Sequence, residues 1–96
     1  MKLIKFSKSN RKNKKYMMIF QEPKKTLHFG SDVSETFVEG ASDEKKKNYI
    51  ARHKVRENWN EINAGSASRF ILWGNSRNIN TNLKEYLKKF NIENSI

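Results

Sequence analysis

Apolar residues come in short runs, some alternating with polar ones, over the first thirty positions. Residues 2–6 (KLIKF), 15–20 (KYMMIF) and 26–29 (TLHF) combine aliphatic, aromatic and β-branched residues, a composition typical of β-strands. Residues 21–24 separate the second and third runs, and Pro23 presets the backbone angle of a turn there. The pattern predicts a β-hairpin, extended by the first run into a three-stranded antiparallel meander.

Beyond residue 42 the apolar spacing becomes helical. A first helix is predicted over residues 43–56, with Ser42 as its N-cap. Tyr49, Ile50 and His53 then fall on one stripe, which we expect to be buried.

Two further helices are predicted in the second half of the chain. One starts at Ser66 or Ser68 and contains the apolar run 70–73, which is the expected centre of the core. The other starts after Asn80 or Thr81 and has apolar residues at i, i+3, i+4 and i+7, namely Leu83, Tyr86, Leu87 and Phe90. The predicted fold class is α+β: a three-stranded antiparallel meander followed by two or three short helices.

Ninety-six residues are enough for one small domain, and we expect a single domain over residues 1–96. Residues 7–15 contain no apolar residue and predict a basic loop or flexible arm. Residues 31–44 predict an acidic loop, held to the core by Phe37 and Val38. Residues 91–96 predict a flexible tail.

The charge of the chain is divided into blocks. The net charge is +10. Residues 1–30 carry nine basic groups and one acid, residues 31–44 carry five acids and no base, and residues 45–56 carry six bases and no acid. Two basic blocks on either side of an acidic loop can form one electropositive surface, although a merely solvated surface is the alternative. The residues expected to contact nucleic acid are Lys8, Arg11, Lys12, Lys14, Lys15, Lys24, Lys25, Lys45, Lys46, Lys47, Arg52, Lys54 and Arg56.

Composition excludes several classes of protein. The chain has no cysteine, so it has neither a disulfide framework nor a cysteine-ligated zinc site. No apolar run approaches the roughly 20 residues that a membrane-spanning helix requires, and the N-terminus lacks the apolar stretch of a signal peptide. We therefore expect a soluble protein inside a virion or a host cell.

The two histidines are the candidate metal ligands. A site would need His28 and His53 to converge with an acid such as Glu57 or Asp32, and His53 and Glu57 are spaced i, i+4. The alternative is that His53 forms hydrogen bonds within a small core and His28 lies on a strand face. We favour this alternative and predict no metal and no cofactor.

No nucleophile motif is present. Ser66 and Ser68 follow Gly65, but the G-x-S-x-G elbow is absent. Backbone amides at residues 65–68 suit either helix capping or anion binding, and capping is favoured. Arg69 is expected to form an internal salt bridge with Glu57 or Glu61. We predict that the protein is not an enzyme.

Several of these residues also occur in a recognisable order. The run YIxRH…ExW…AGxxSRxILW, from Tyr49 to Trp73, together with residues 16–20 and 28–30, resembles an uncharacterised family of small basic proteins encoded by large DNA viruses of algae and protists. The resemblance covers roughly residues 14–90, and the chain departs from it over residues 33–42. It implies a viral setting and one compact domain, and it implies no activity.

The leading functional hypothesis is a non-enzymatic protein that binds nucleic-acid backbone without sequence specificity, as in genome packaging. The alternative is a minor capsid or scaffold component that docks its basic arm onto an acidic protein or an anionic lipid surface. The expected partners are accordingly nucleic acid or another polyanion, and virion structural proteins.

Overall fold

A four-stranded sheet forms one side of the molecule. The computed structural model describes residues 1–96, and the strands lie in the order β3-β2-β1-β4. Their bounds are β1 Lys2–Lys8, β2 Lys14–Gln21, β3 Lys25–Ser31 and β4 Glu93–Asn94. The pairs β1–β2 and β2–β3 are antiparallel, whereas β4 runs parallel to β1. The α+β class and the meander are confirmed, but the whole sheet is mixed.

Residues 91–96, for which the sequence predicts a flexible tail, include strand β4. Ile92 is buried, the Glu93 amide donates to the Met1 carbonyl at 3.1 Å, and the Ser95 amide donates to the Leu3 carbonyl at 2.9 Å. These bonds use backbone groups that β1 would otherwise leave unpaired at the sheet edge.

The predicted basic loop over residues 7–15 is much shorter in the structure. β1 continues to Lys8 and β2 begins at Lys14, so only residues 9–13 connect the strands. The Ser9 amide donates to the Lys15 carbonyl at 3.0 Å, and the Phe6 and Tyr16 rings stack with centroids 5.5 Å apart. The segment is a hairpin connection, here called the basic turn (residues 9–13).

The acidic loop is anchored by a short 3₁₀ helix over Phe37–Glu39. Phe37 is buried, as expected, and Val38 packs against the core while remaining half-buried. The Glu39 carboxylate accepts hydrogen bonds from the amide and the hydroxyl of Thr36, both at 2.9 Å. This bonding closes the first turn of the 3₁₀ helix.

The helical half begins with α1 at Asp43–Lys54, followed by α2 at Ala64–Ala67 and α3 at Ile79–Lys89. A π-helical turn over Ser68–Leu72 continues α2. Ser42 caps α1 as predicted, because its hydroxyl accepts from the Lys45 amide at 3.1 Å. Helix α1 ends two residues before the predicted boundary. None of these helices is long and apolar enough to span a bilayer.

The core lies between the sheet and the segment from α2 to α3. Phe20 and Phe29 from the sheet, and Ile71 and Leu72 from the π-helical turn, have no exposed surface. Trp73 is also buried. Phe70 was expected to be buried with them, but it is only half-buried, since it packs against Trp59 and Lys89 near the surface.

Candidate functional site

An open cleft of about 1150 Å³ is the principal concave feature of the molecule. We call this feature "the cleft". It lies between the beginning of β2 and the end of β3 on one side and α1 and α2 on the other, and residues 33–36 of the acidic loop line it as well. The side chains considered below are Lys14, Lys45, Tyr49, Arg52, His53, Glu57 and Ser68.

Helix α1 supplies one wall of the cleft because of its residue spacing. Lys45, Tyr49, Arg52 and His53 stand at i, i+4, i+7 and i+8, which places them on one helix face. Lys14, at the first position of β2, adds a third basic group beside Lys45 and Arg52. These three side chains form no ion pair or side-chain hydrogen bond within the chain, so their donors remain free for a ligand.

His53 and Glu57 form the tightest polar pair in the cleft. His53 Nδ1 and Glu57 Oε2 are 2.8 Å apart, and the other carboxylate oxygen of Glu57 accepts from Trp59 Nε1 at 2.9 Å. Burial alone would raise the pKa of Glu57, but the hydrogen bonds from His53 and Trp59 together outweigh burial and lower that pKa. Glu57 is therefore held as a carboxylate that accepts from both rings.

Tyr49 fixes the orientation of the His53 ring. Its own ring lies between those of His53 and Trp73, with centroid distances of 4.1 and 4.4 Å. The Tyr49 hydroxyl donates to Ser68 Oγ at 3.1 Å. Burial raises the pKa of Tyr49, more than the Ser68 hydrogen bond lowers it, so this hydroxyl keeps its proton. The stack is consequently a fixed wall of the cleft.

Gly65 allows α2 to approach the Glu57 carboxylate closely. A Cβ atom at this position would lie 3.1 Å from both Glu57 Cδ and Oε1. The side chain of Asn63 caps α2 by accepting from the Ser66 amide at 2.8 Å, and the Ser66 hydroxyl bonds to the buried Tyr86 hydroxyl at 2.7 Å. Capping, and not an open set of amides, therefore explains the polar residues at the start of α2.

The chain matches DUF5754, a family of unknown function, over residues 4–53. It belongs to this family. The DUF5754 match includes the sheet wall of the cleft and the α1 wall as far as His53, and it ends before Glu57. Searches of curated proteins and of solved structures found no match.

Three of the basic residues predicted to contact nucleic acid instead bind partners within this DUF5754 chain. Lys15 Nζ lies 3.1 Å from the Glu39 carboxylate, Lys25 Nζ donates to the Ile62 carbonyl at 2.9 Å, and Lys46 Nζ donates to the Gly74 carbonyl at 2.7 Å. Burial, followed by the charge of Arg69, lowers the pKa of Lys46. The other ten predicted residues are exposed and their side chains form no hydrogen bond or ion pair within the chain: Lys8, Arg11, Lys12, Lys14, Lys24, Lys45, Lys47, Arg52, Lys54 and Arg56.

The salt bridge predicted for Arg69 is wrong. Arg69 Nη1 donates to the Trp73 carbonyl at 2.7 Å, and the guanidinium lies 5.4 and 5.1 Å from the ring centroids of Trp59 and Phe70. Burial lowers the pKa of Arg69. The aromatic neighbours offer the electron-rich faces that suit a guanidinium, and Glu57 is instead taken by His53 and Trp59.

The two histidines of this DUF5754 chain occupy different places. His28 lies on β3, where its Nδ1 and the Ser9 hydroxyl are 2.7 Å apart. No three or more His, Asp and Glu side chains come together in a group that could hold a metal ion. The i, i+4 spacing of His53 and Glu57 was visible in the sequence, although α1 ends between them. Their position inside a basic cleft was not visible.

Proposed function

We propose that this protein binds the phosphate backbone of nucleic acid without reading base sequence, and that the cleft is the central contact. The supporting observation is that Lys14, Lys45 and Arg52, from opposite walls, line one open cleft with free donor groups. Lysine and arginine are the main partners of phosphate oxygens, and such contacts position a protein without specifying bases. Packaging of a viral genome is the setting we propose.

Exposed basic residues at both ends of the cleft extend the basic surface that a nucleic-acid strand would follow. Arg11 and Lys12 are exposed in the basic turn that leads into Lys14. At the other end of the α1 wall, Lys54 and Arg56 are exposed beyond His53. A polyanion lying across the cleft therefore has further phosphate contacts at both ends.

The acidic groups in the cleft offset only part of the positive charge of the basic side chains. The Glu57 carboxylate is neutralised in part by its hydrogen bonds to His53 and Trp59. Glu35 is exposed at the rim, where solvent and salt screen its repulsion. The three free basic groups accordingly outnumber the two carboxylates, Glu35 and Glu57, that line the cleft.

The test is the salt dependence of binding to random-sequence duplex DNA. Each lost phosphate contact lowers the slope of log K against log salt by about 0.9. The double variant Lys45→Gln/Arg52→Gln should flatten the slope by about 2, to a similar extent on unrelated sequences. The matched control is Lys84→Gln/Lys88→Gln, which removes two exposed charges from α3 and should change the slope less.

Two results would contradict the proposal. If both double variants flatten the salt dependence equally, net charge, and not the cleft, governs binding. No duplex binding near physiological salt would reject the function and favour the alternative, in which the basic surface docks onto an acidic protein or an anionic lipid surface of a virion.

A further inference from the structure

His53 presents one free ring nitrogen to the cleft. Its Nδ1 is bonded to Glu57, and no group of the chain bonds to Nε2. The only side-chain nitrogen or oxygen that is both buried and unpartnered is Arg69 Nε, so His53 Nε2 is accessible to solvent. Because His53 lines the cleft, Nε2 is available to a molecule bound there.

The Glu57 carboxylate determines which nitrogen of His53 carries the proton. A carboxylate only accepts hydrogen bonds, so in the neutral imidazole the 2.8 Å contact places the proton on Nδ1 and leaves a lone pair on Nε2. Stacking on Tyr49 at 4.1 Å, with 25° between the ring planes, restricts rotation of the imidazole. A histidine oriented by a carboxylate is a recurring arrangement of general bases in enzymes.

We propose that His53 is the general base of an RNA-cleaving site in the cleft and that Glu57 is its positioning residue. This activity rests on the proposed function, since a phosphate backbone must first occupy the cleft. It departs from the expectation, drawn from the sequence, that the protein is not an enzyme. Lys45 and Arg52, on the same face of α1 as His53, are the groups that would stabilise charge on the reacting phosphate.

The reaction that fits these groups is an internal transesterification. His53 Nε2 accepts the proton of a ribose 2′-hydroxyl while the 2′-oxygen forms a bond to the adjacent phosphorus. The bond from phosphorus to the 5′-oxygen breaks, and that oxygen takes a proton from water. His53 then returns its proton to the hydroxide so formed. The products are a 2′,3′-cyclic phosphate and a 5′-hydroxyl, with no change of oxidation state.

RNA is favoured over DNA because the 2′-hydroxyl makes the substrate its own nucleophile. The cleft then needs to supply only a base and positive charge, and it offers both. Ser68, which lines the cleft, is engaged by the Tyr49 hydroxyl at 3.1 Å, so its hydroxyl already has a structural role.

The experiment uses a labelled single-stranded oligoribonucleotide with protein in excess and EDTA present. We expect cleavage that yields 2′,3′-cyclic phosphate ends. His53→Gln should slow cleavage about 100-fold or more, the usual range for loss of a general base. Glu57→Gln should slow it about 10–100-fold, as for other groups that orient a functional histidine. The matched controls His28→Gln and Glu85→Gln should cleave at the wild-type rate.

Binding is measured separately with the 2′-O-methyl form of the same strand, which lacks the nucleophile. Cleavage rates are compared at protein concentrations that saturate each variant with this strand, so that a change in rate is not a change in binding. Added imidazole should restore part of the cleavage by His53→Ala, an effect that a merely structural role would not produce.

The outcomes separate this inference from the proposed function. Binding of the 2′-O-methyl strand without cleavage of RNA overturns the catalytic role and leaves backbone binding in place. Cleavage that persists in His53→Gln also overturns it, since the activity then comes from another site or another protein. Failure to bind both the 2′-O-methyl strand and duplex DNA overturns both proposals, whereas binding of duplex DNA alone overturns only the RNA-cleaving role.

Discussion

At the scale of single residues, three stacked rings join the core to the cleft. Tyr49 lies between Trp73, which is 6% exposed, and His53, which lines the cleft. Loss of Trp73 would therefore remove core contacts and also release the ring that orients His53. Stability and the geometry of the cleft depend on the same side chain.

We expect Trp73→Ala to lower the free energy of unfolding by about 3–5 kcal/mol, the usual loss when a buried aromatic is truncated. Small domains have about 5–15 kcal/mol in total, so the variant should be close to unfolding. Urea denaturation followed by circular dichroism measures the change. Trp59→Ala is the matched control, and it should lose less because Trp59 is only half-buried. An unchanged urea midpoint for Trp73→Ala would contradict the placement of the core.

The sequence revealed part of the candidate site at the residue scale. The spacing of His53 and Glu57 was sufficient to predict that they can meet, because the interaction is local. The bond between Glu57 and Trp59 and the stack on Tyr49 depend on how the chain turns after α1, and no pattern encodes that turn. Lys14 reaches the cleft only because the sheet packs beside α1.

At the scale of elements, local sequence signals were sufficient to predict the hairpin, whereas the pairing of strands distant in sequence could not be predicted. The hairpin of β2 and β3 was predictable because a proline turn separates two strand-like runs. Strand β4 was not, because Glu93 and Asn94 are exposed and their pairing with β1 uses backbone groups. The segment has two apolar residues, Ile92 and Ile96, and only Ile92 is buried.

We expect Ile92→Ala to destabilise the protein by about 2–5 kcal/mol, the usual cost of truncating a buried isoleucine. Ile92 is 7% exposed, and its amide donates to the Leu87 carbonyl at 2.8 Å, which directs the chain from α3 into β4. The matched control is Ile96→Ala, at a position 60% exposed, where we expect a change within about 0.5 kcal/mol. Thermal or urea unfolding measures both. Equal effects would mean that the segment after α3 is not docked.

At the scale of the whole molecule, the fold rearranges the charge blocks of the sequence. The first basic block meets the acidic loop through the ion pair of Lys15 with Glu39. The two basic blocks meet at the cleft through Lys14 on one side and Lys45 and Arg52 on the other. The alternating blocks predicted a shared surface, but which lysines pair internally depends on packing.

The whole molecule should lose stability in acid through two carboxylates. Burial opposes ionisation of Glu39 and Glu57, but hydrogen bonds from Thr36 and Lys15, and from His53 and Trp59, outweigh it and lower the pKa of each below the ordinary 4.5. The folded state therefore holds these protons less tightly than the unfolded chain. Their stabilisation is present above pH 4.5 and is lost as pH falls through the folded pKa values.

Urea midpoints measured between about pH 7 and 3 should accordingly stay level at first and then decline below about pH 5, where unfolded carboxylates begin to bind protons. The double variant Glu39→Gln/Glu57→Gln should be less stable near neutral pH and should show a shallower decline in acid, because the two linked protons are absent. Glu61→Gln/Glu85→Gln removes two exposed carboxylates that form no ion pair and should keep the wild-type profile. A decline of equal steepness in both double variants would place the acid sensitivity in other groups.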